Sequence, residues 1–268
     1  MAFITFIGGC VATLALPYYP LPDLIAWKFI GLSVILHLLY GIFLSFSYTL
    51  GDISLVYPIA RGTAPLLTTL WSFLFLKEPL TFETLLGIGL ICLGIMSLTF
   101  IQSPKKILEH RRALLCALIT GRFISSYTLI DGIGARKSND IISYILWLQI
   151  SNAIVIPLWA ASKRKKEKII TYFKKEWKVL TFGGFMTFGA YALVVLALSL
   201  NNMASVAALR ETSVLFVALL SSRILKEPLG KWRTLAATFV VAGAIIMNTA
   251  PLKANPLFKK SSSQITNK

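Results

Sequence analysis

Charge is scarce in this chain. Only 14 % of its 268 residues are charged, with 11 Asp+Glu against 27 Lys+Arg. A soluble domain carries about a quarter charged residues. The polar surface needed to coat a water-soluble globule is therefore missing, which excludes a soluble enzyme and a disordered regulator. Cysteine is also scarce. Cys10, Cys92 and Cys116 each sit inside an apolar run, with no His or second Cys at metal-ligand spacing. That excludes a secreted disulfide scaffold and a zinc site. The two histidines, His37 and His110, lie far apart. With so few acids they form no His–carboxylate, Ser–His or Asp-x-x-Asp constellation, so an enzyme embedded in the membrane is not expected. No glycine-rich phosphate loop is present, so ATP is not expected to drive the protein, and no cofactor is implied.

Apolar residues are abundant, at 56 %, and mean hydropathy is +0.73. A span needs roughly 20 apolar residues, so the chain has room for about nine spans and no separate soluble domain. The expectation is an all-α polytopic membrane protein. Charge and Gly/Pro punctuation place helices at 3–19, 29–50, 54–76, 84–101, 113–134, 141–161, 179–200, 204–225 and 234–250. The first run lacks a positive n-region and is read as a retained span rather than a cleaved signal. The Ser- and Lys-rich tail, 251–268, reads as polar and mobile. His37, inside an apolar helix, reads as a packing residue.

The net charge of +16 is not spread over a nucleic-acid-binding face. It is concentrated between apolar runs, most densely from Ser162 to Lys178, as in a cytoplasmic loop beside anionic headgroups. One alternating set of loops holds Lys105, Lys106, Arg111, Arg112, that cluster, Lys226, Lys231 and Arg233; the other holds Lys28, Lys77, Arg136, Lys137 and the tail lysines. Loop charge thus favours the first set inside; with nine spans this puts the N-terminus inside and the C-terminus outside, whereas a further helix before the first span would put the N-terminus outside, so the orientation stays open.

The most informative feature is an internal repeat. The segment that begins at Ser54 overlays a later one at an offset of 149 residues: Arg61 falls on Arg210, Thr63 on Thr212, Leu66 on Leu215, Ser72 on Ser221 and Gly94 on Gly243. The stretch Leu76-Lys77-Glu78-Pro79-Leu80 recurs as Leu225-Lys226-Glu227-Pro228-Leu229. Five expected spans separate the two copies. An odd number inverts the second copy relative to the first, the architecture of secondary transporters. The LKEPL loops read as surface features in which Pro begins the next helix.

The stretches ISLVYPIARGTAPLLTTLWSFLFLKEPL, YTLIDGIGAR and VAALRETSVLFVALL resemble the EamA-type branch of the drug/metabolite transporter superfamily. The resemblance covers nearly the whole chain and implies ten helices, as two five-helix inverted repeats around a central cavity. Here Met1 falls where the second helix of that pattern would begin, so nine spans are expected. The first repeat would occupy 1–104 with four helices, and the second 105–250 with five. The resemblance implies a multi-pass protein of the bacterial inner membrane, exporting a small polar or amphipathic metabolite by alternating access. The alternative is a non-transporting or degenerate paralogue that serves as a membrane assembly partner.

An ionisable side chain inside a span needs a partner, a wet cavity or an escape to the interface. Arg61 and Arg210 each lie about seven residues into their helices, roughly 10 Å deep. As an inverted pair they can approach the midplane and grip a carboxylate or phosphate. The alternative is that each snorkels to its nearest interface. Tyr57, Pro58, Gly62 and Pro65 mark a polar-tolerant, irregular helix around Arg61. Arg122, near the centre of its helix, needs a carboxylate, with Glu211 or Asp131 as candidates. Tyr127 and Asp131, four residues apart, share one helix face. The expected cargo site is Arg61, Arg210, Tyr57, Tyr127 and Arg122, with Asp131 or Glu211 as the proton-coupling or ion-pairing carboxylate and an anionic or zwitterionic cargo.

Overall fold

The computed structural model describes residues 1–51, 53–102, 111–163, 166–213, 216 and 231–249. Among these the chain is helical, with no strand. The helices are α1 (Ala2–Ala15), α2 (Leu24–Leu50), α3 (Ile53–Trp71), α4 (Phe82–Gln102), α5 (Arg111–Lys137), α6 (Ile141–Ser162), α7 (Lys166–Leu200), α8 (Met203–Glu211) and α9 (Lys231–Thr249). A 3-10 turn, Leu16–Tyr18, extends α1, and a π turn, Ser72–Leu76, extends α3. Among the described residues, five segments are long and apolar enough to cross a bilayer: Leu24–Leu50, Leu55–Leu76, Arg111–Lys137, Ile141–Ser162 and Ile169–Leu200. Leu14, Phe73, Phe75, Phe82, Leu158 and Phe182 are exposed on the outside of the bundle. Water would not tolerate such a surface, whereas hydrocarbon does, and helices keep every backbone polar group satisfied there. The molecule is an all-α, multi-pass membrane protein.

Local chemistry sets the helix ends. Asp140 caps α6 by accepting from the Ser143 N–H at 2.8 Å, and Asn202 caps α8 by accepting from the Ala204 and Ser205 N–H groups at 3.0 and 3.3 Å. Thr81 accepts from the Thr84 N–H at 3.3 Å, so α4 starts at Phe82. Pro79 therefore lies ahead of that helix rather than at its first position. Pro58 and Pro65 sit within α3, and Pro65 deprives the Arg61 carbonyl of its helical donor. The π turn ends at Lys77, which has a left-handed φ of 52°.

Two expected boundaries differ substantially. Helix α2 begins at Leu24 rather than residue 29, which places Lys28 inside the helix, just past its first turn. Helix α7 begins at Lys166 rather than residue 179, so most of the basic cluster is helical. Its 35 residues extend about 52 Å, well beyond a hydrocarbon core of about 30 Å. Tyr172 and Phe173 hold this extension against α1, with ring centroids 6.3 and 5.2 Å from Phe3. The helix expected at 204–225 is seen as Met203–Glu211; residues 214–215 and 217–225 of that range, the second LKEPL stretch, Lys105, Lys106 and the tail 251–268 lie outside the described residues.

Packing runs between distant parts of the chain. Helix α4 lies along α9, α2 along α5, and α1 along α6, while α3 touches both α4 and α5. The α4–α9 seam is made by small residues. A Cβ on Gly87 would lie 2.6 Å from the Gly243 carbonyl oxygen, and one on Gly94 would lie 2.8 Å from that of Ala236. Both pairs follow the repeat: residue 87 is offset by 149 from 236, and 94 by 149 from 243. The two contacts are therefore the same contact made twice, with partners exchanged. Gly89 and Gly189, by contrast, face open space.

Candidate functional site

Helices α3, α5 and α8 bring the expected charged residues together. Glu211, fully buried near the end of α8, receives the Arg61 Nη1 donor at 3.2 Å and the Arg210 Nε donor at 3.2 Å, both on Oε1. Its other oxygen, Oε2, is buried with no hydrogen-bond partner among the described residues. Arg61 also donates from Nε to the Tyr57 hydroxyl at 3.2 Å, and its guanidinium stands 5.4 Å from the Tyr57 ring centroid. The Arg61 side chain keeps 23 % exposure and Arg210 13 %. Neither escapes to an interface; each finds its counterion inside the bundle. Two guanidinium groups against one carboxylate leave this cluster with a formal charge of +1.

Arg210 leads to a second cluster. Its Nη1 reaches the Thr128 hydroxyl at 3.4 Å on α5, one residue from Tyr127 and less than a turn from Asp131. Asp131 is fully buried and meets no arginine among the described residues. Its Oδ1 accepts from the Tyr144 hydroxyl at 3.3 Å, and its Oδ2 accepts a short bond from the Tyr191 hydroxyl. The His37 ring stacks on Tyr127, with centroids 4.0 Å apart at 25°, and meets Tyr191 edge-on at 5.5 Å and 88°. Its Nδ1 lies 3.0 Å from the Ser33 carbonyl and 3.1 Å from the Ser33 hydroxyl. Tyr40 closes the group edge-on to Tyr127 at 5.6 Å.

The structure thus joins Arg61, Arg210, Tyr57, Tyr127, Asp131 and Glu211 into one buried region. Arg122 stands apart. It is exposed on the face of α5 that carries Leu115, Leu118 and Ile119, and it pairs with neither Glu211 nor Asp131. The reason is that α5 turns Arg122 to its exposed face, away from the buried face that carries Thr128 and Asp131. His37, Tyr40, Tyr144 and Tyr191 were not among the expected site residues. The sequence offered His37, an imidazole in an apolar helix, and Tyr40, one of several aromatics in apolar runs; nothing in it singled out Tyr144 or Tyr191. Glu78 also departs from expectation. Lys77 of the first LKEPL loop is exposed, but Glu78 is buried at 5 % exposure. No group of three or more His, Cys, Asp or Glu that could hold a metal occurs among the described residues.

The profile of the EamA-like transporter family matches residues 1–100 and 111–249. No curated protein matches the chain.

Proposed function

The chain belongs to the EamA-like transporter family, and from that premise we propose that it is a secondary carrier. In this reading it exports a small polar or amphipathic metabolite across the inner membrane of a bacterium. The halves 1–104 and 105–250 act as inverted units that rock against each other. One observation carries the reading: Arg61 and Arg210, equivalent under the repeat, converge on Glu211 in the protein interior. A carboxylate already neutralises part of their charge, and the surplus of +1 suits a cargo with an anionic group. Glu211 Oε2, without a partner among the described residues, can accept a donor, which suits a zwitterion.

Glu211 is committed to two cations, so it serves as the ion-pairing carboxylate. Asp131, held by the Tyr144 and Tyr191 hydroxyls and by no arginine among the described residues, is assigned the proton-coupling role. It can gain a proton without breaking an ion pair, and Tyr191 and Tyr144 can reorient to accept from the acid. The reading gives the protein no enzymatic step.

The test is release from proteoliposomes. Vesicles containing the purified protein are loaded with a low-molecular-weight cell extract, a pH gradient is imposed, and released solutes are identified by mass spectrometry. The reading predicts gradient-dependent release of at least one anionic or zwitterionic solute, and its loss in Asp131→Asn. Release that matches protein-free vesicles contradicts it.

A further inference from the structure

The buried Glu78 makes contacts that the charged centre does not require. Its Oε1 accepts from Arg136 Nη1 at 2.7 Å, and its Oε2 accepts from the Met203 N–H at 2.9 Å. Arg136 in turn donates from Nε to the Leu198 carbonyl at 3.0 Å and from Nη2 to the Asn201 carbonyl at 2.6 Å. Four bonds tie together the α3–α4 loop, the last turn of α5, the end of α7 and the start of α8. These segments lie at the same end of the bundle, where Ser143 of α6 also donates to the Pro20 carbonyl at 2.6 Å. Glu78 comes from the first half of the chain, and every group it grips comes from the second.

The cluster is mechanically connected to the charged centre. Met203, held by Glu78, is the first residue of α8, and Arg210 and Glu211 are its last two. The helix has nine residues and is about 13 Å long, too short to absorb a displacement by bending. Moving its first turn therefore moves the guanidinium and carboxylate at its other end.

We propose that Glu78 and Arg136 are a gate latch: they hold one mouth between the two halves closed, and their release swings α8 so that the mouth opens as Arg210 and Glu211 shift. This rests on the alternating-access reading above. It assigns a role in transport to the LKEPL loop, whose Glu otherwise has no reason to be buried. A charged pair is suited to the task. It is strong when dry and is replaced by water when the mouth opens, so the open state leaves no orphaned buried charge.

The experiment measures access to the mouth and needs no cargo. Met203→Cys, with Cys10, Cys92 and Cys116 replaced by Ser, places a single thiol at a fully buried position whose backbone N–H is held by Glu78. Its rate of modification by a membrane-impermeant thiol reagent is followed in proteoliposomes. Glu78→Gln and Arg136→Gln are each expected to raise that rate about tenfold or more, the scale of losing one charge-assisted bond. Arg136→Lys, which keeps the charge but loses both carbonyl bonds, gives an intermediate rate. Thr84→Ala, also buried near the loop but outside the four bonds, leaves the rate unchanged. Unchanged labelling in both Gln variants, or equal acceleration in Thr84→Ala, overturns the latch. A mouth that opens while no solute crosses the vesicles would remove the carrier reading and leave the latch standing. Transport with unchanged labelling would remove the latch alone.

Discussion

Substituting Glu211→Gln removes the carboxylate that two arginines share. Glutamine keeps the shape and one acceptor oxygen, so the change isolates charge. At 3.2 Å and an effective dielectric of about 20, each ion pair has a gross attraction of about 5 kcal/mol. Desolvation opposes much of this, and losing one partner of a buried pair costs about 3–5 kcal/mol. Arg61 keeps 23 % exposure and can be partly rehydrated, so the lower end applies, about 3 kcal/mol. For a chain of this size that is a fall in melting temperature of about 6–12 °C. The assay is thermal unfolding of purified protein in detergent, followed by intrinsic tryptophan fluorescence. The double variant Glu211→Gln with Arg61→Gln should recover part of the loss, because one buried cation then remains instead of two. A coupling of about 1.5 kcal/mol or more between the two sites is expected. If Glu211→Gln melts within about 2 °C of the parent and the cycle shows no coupling, the three charges do not form the cluster described here.

Other substitutions test separate parts of the account. Asp131→Asn should abolish gradient-driven release while leaving solute exchange between equal pools, measured in the same vesicles, because it removes the titrating group and not the arginines. Gly87→Ala should lower the melting temperature, at a cost of about 1–3 kcal/mol, because its Cβ would lie 2.6 Å from the Gly243 carbonyl with backbone that cannot yield. Arg122→Leu should fold and transport like the parent in both assays, since Arg122 meets no carboxylate among the described residues and stands on an exposed apolar face.

The parts of the structure that were legible in the sequence are those that depend on one helix at a time. Apolar runs and their punctuation gave most helix centres, and the offset of 149 singled out Arg61 and Arg210 before any contact was known. The beginning of α7 was not legible, because a dense lysine cluster resembles a loop. Its helix is held by Phe3 contacting Tyr172 and Phe173 across 169 residues of chain or more. The partners of Asp131 were hidden for the same reason: Tyr144 and Tyr191 lie on α6 and α7, and neither carries a periodic signal that points at α5. Arg122 shows the opposite error. Its central position along the helix suggested a deep, paired side chain, yet depth along a helix does not say which way the helix is turned, and this one turns Arg122 outward.

The most direct test of the central claim compares solutes in the medium of cells overproducing the parent protein with those of cells overproducing the Arg61→Gln, Arg210→Gln double variant at equal membrane abundance. A solute bearing a carboxylate or phosphate should accumulate outside the parent cells and stay at background with the variant. Identical accumulation in the two cultures would show that the paired guanidinium groups do not hold the cargo.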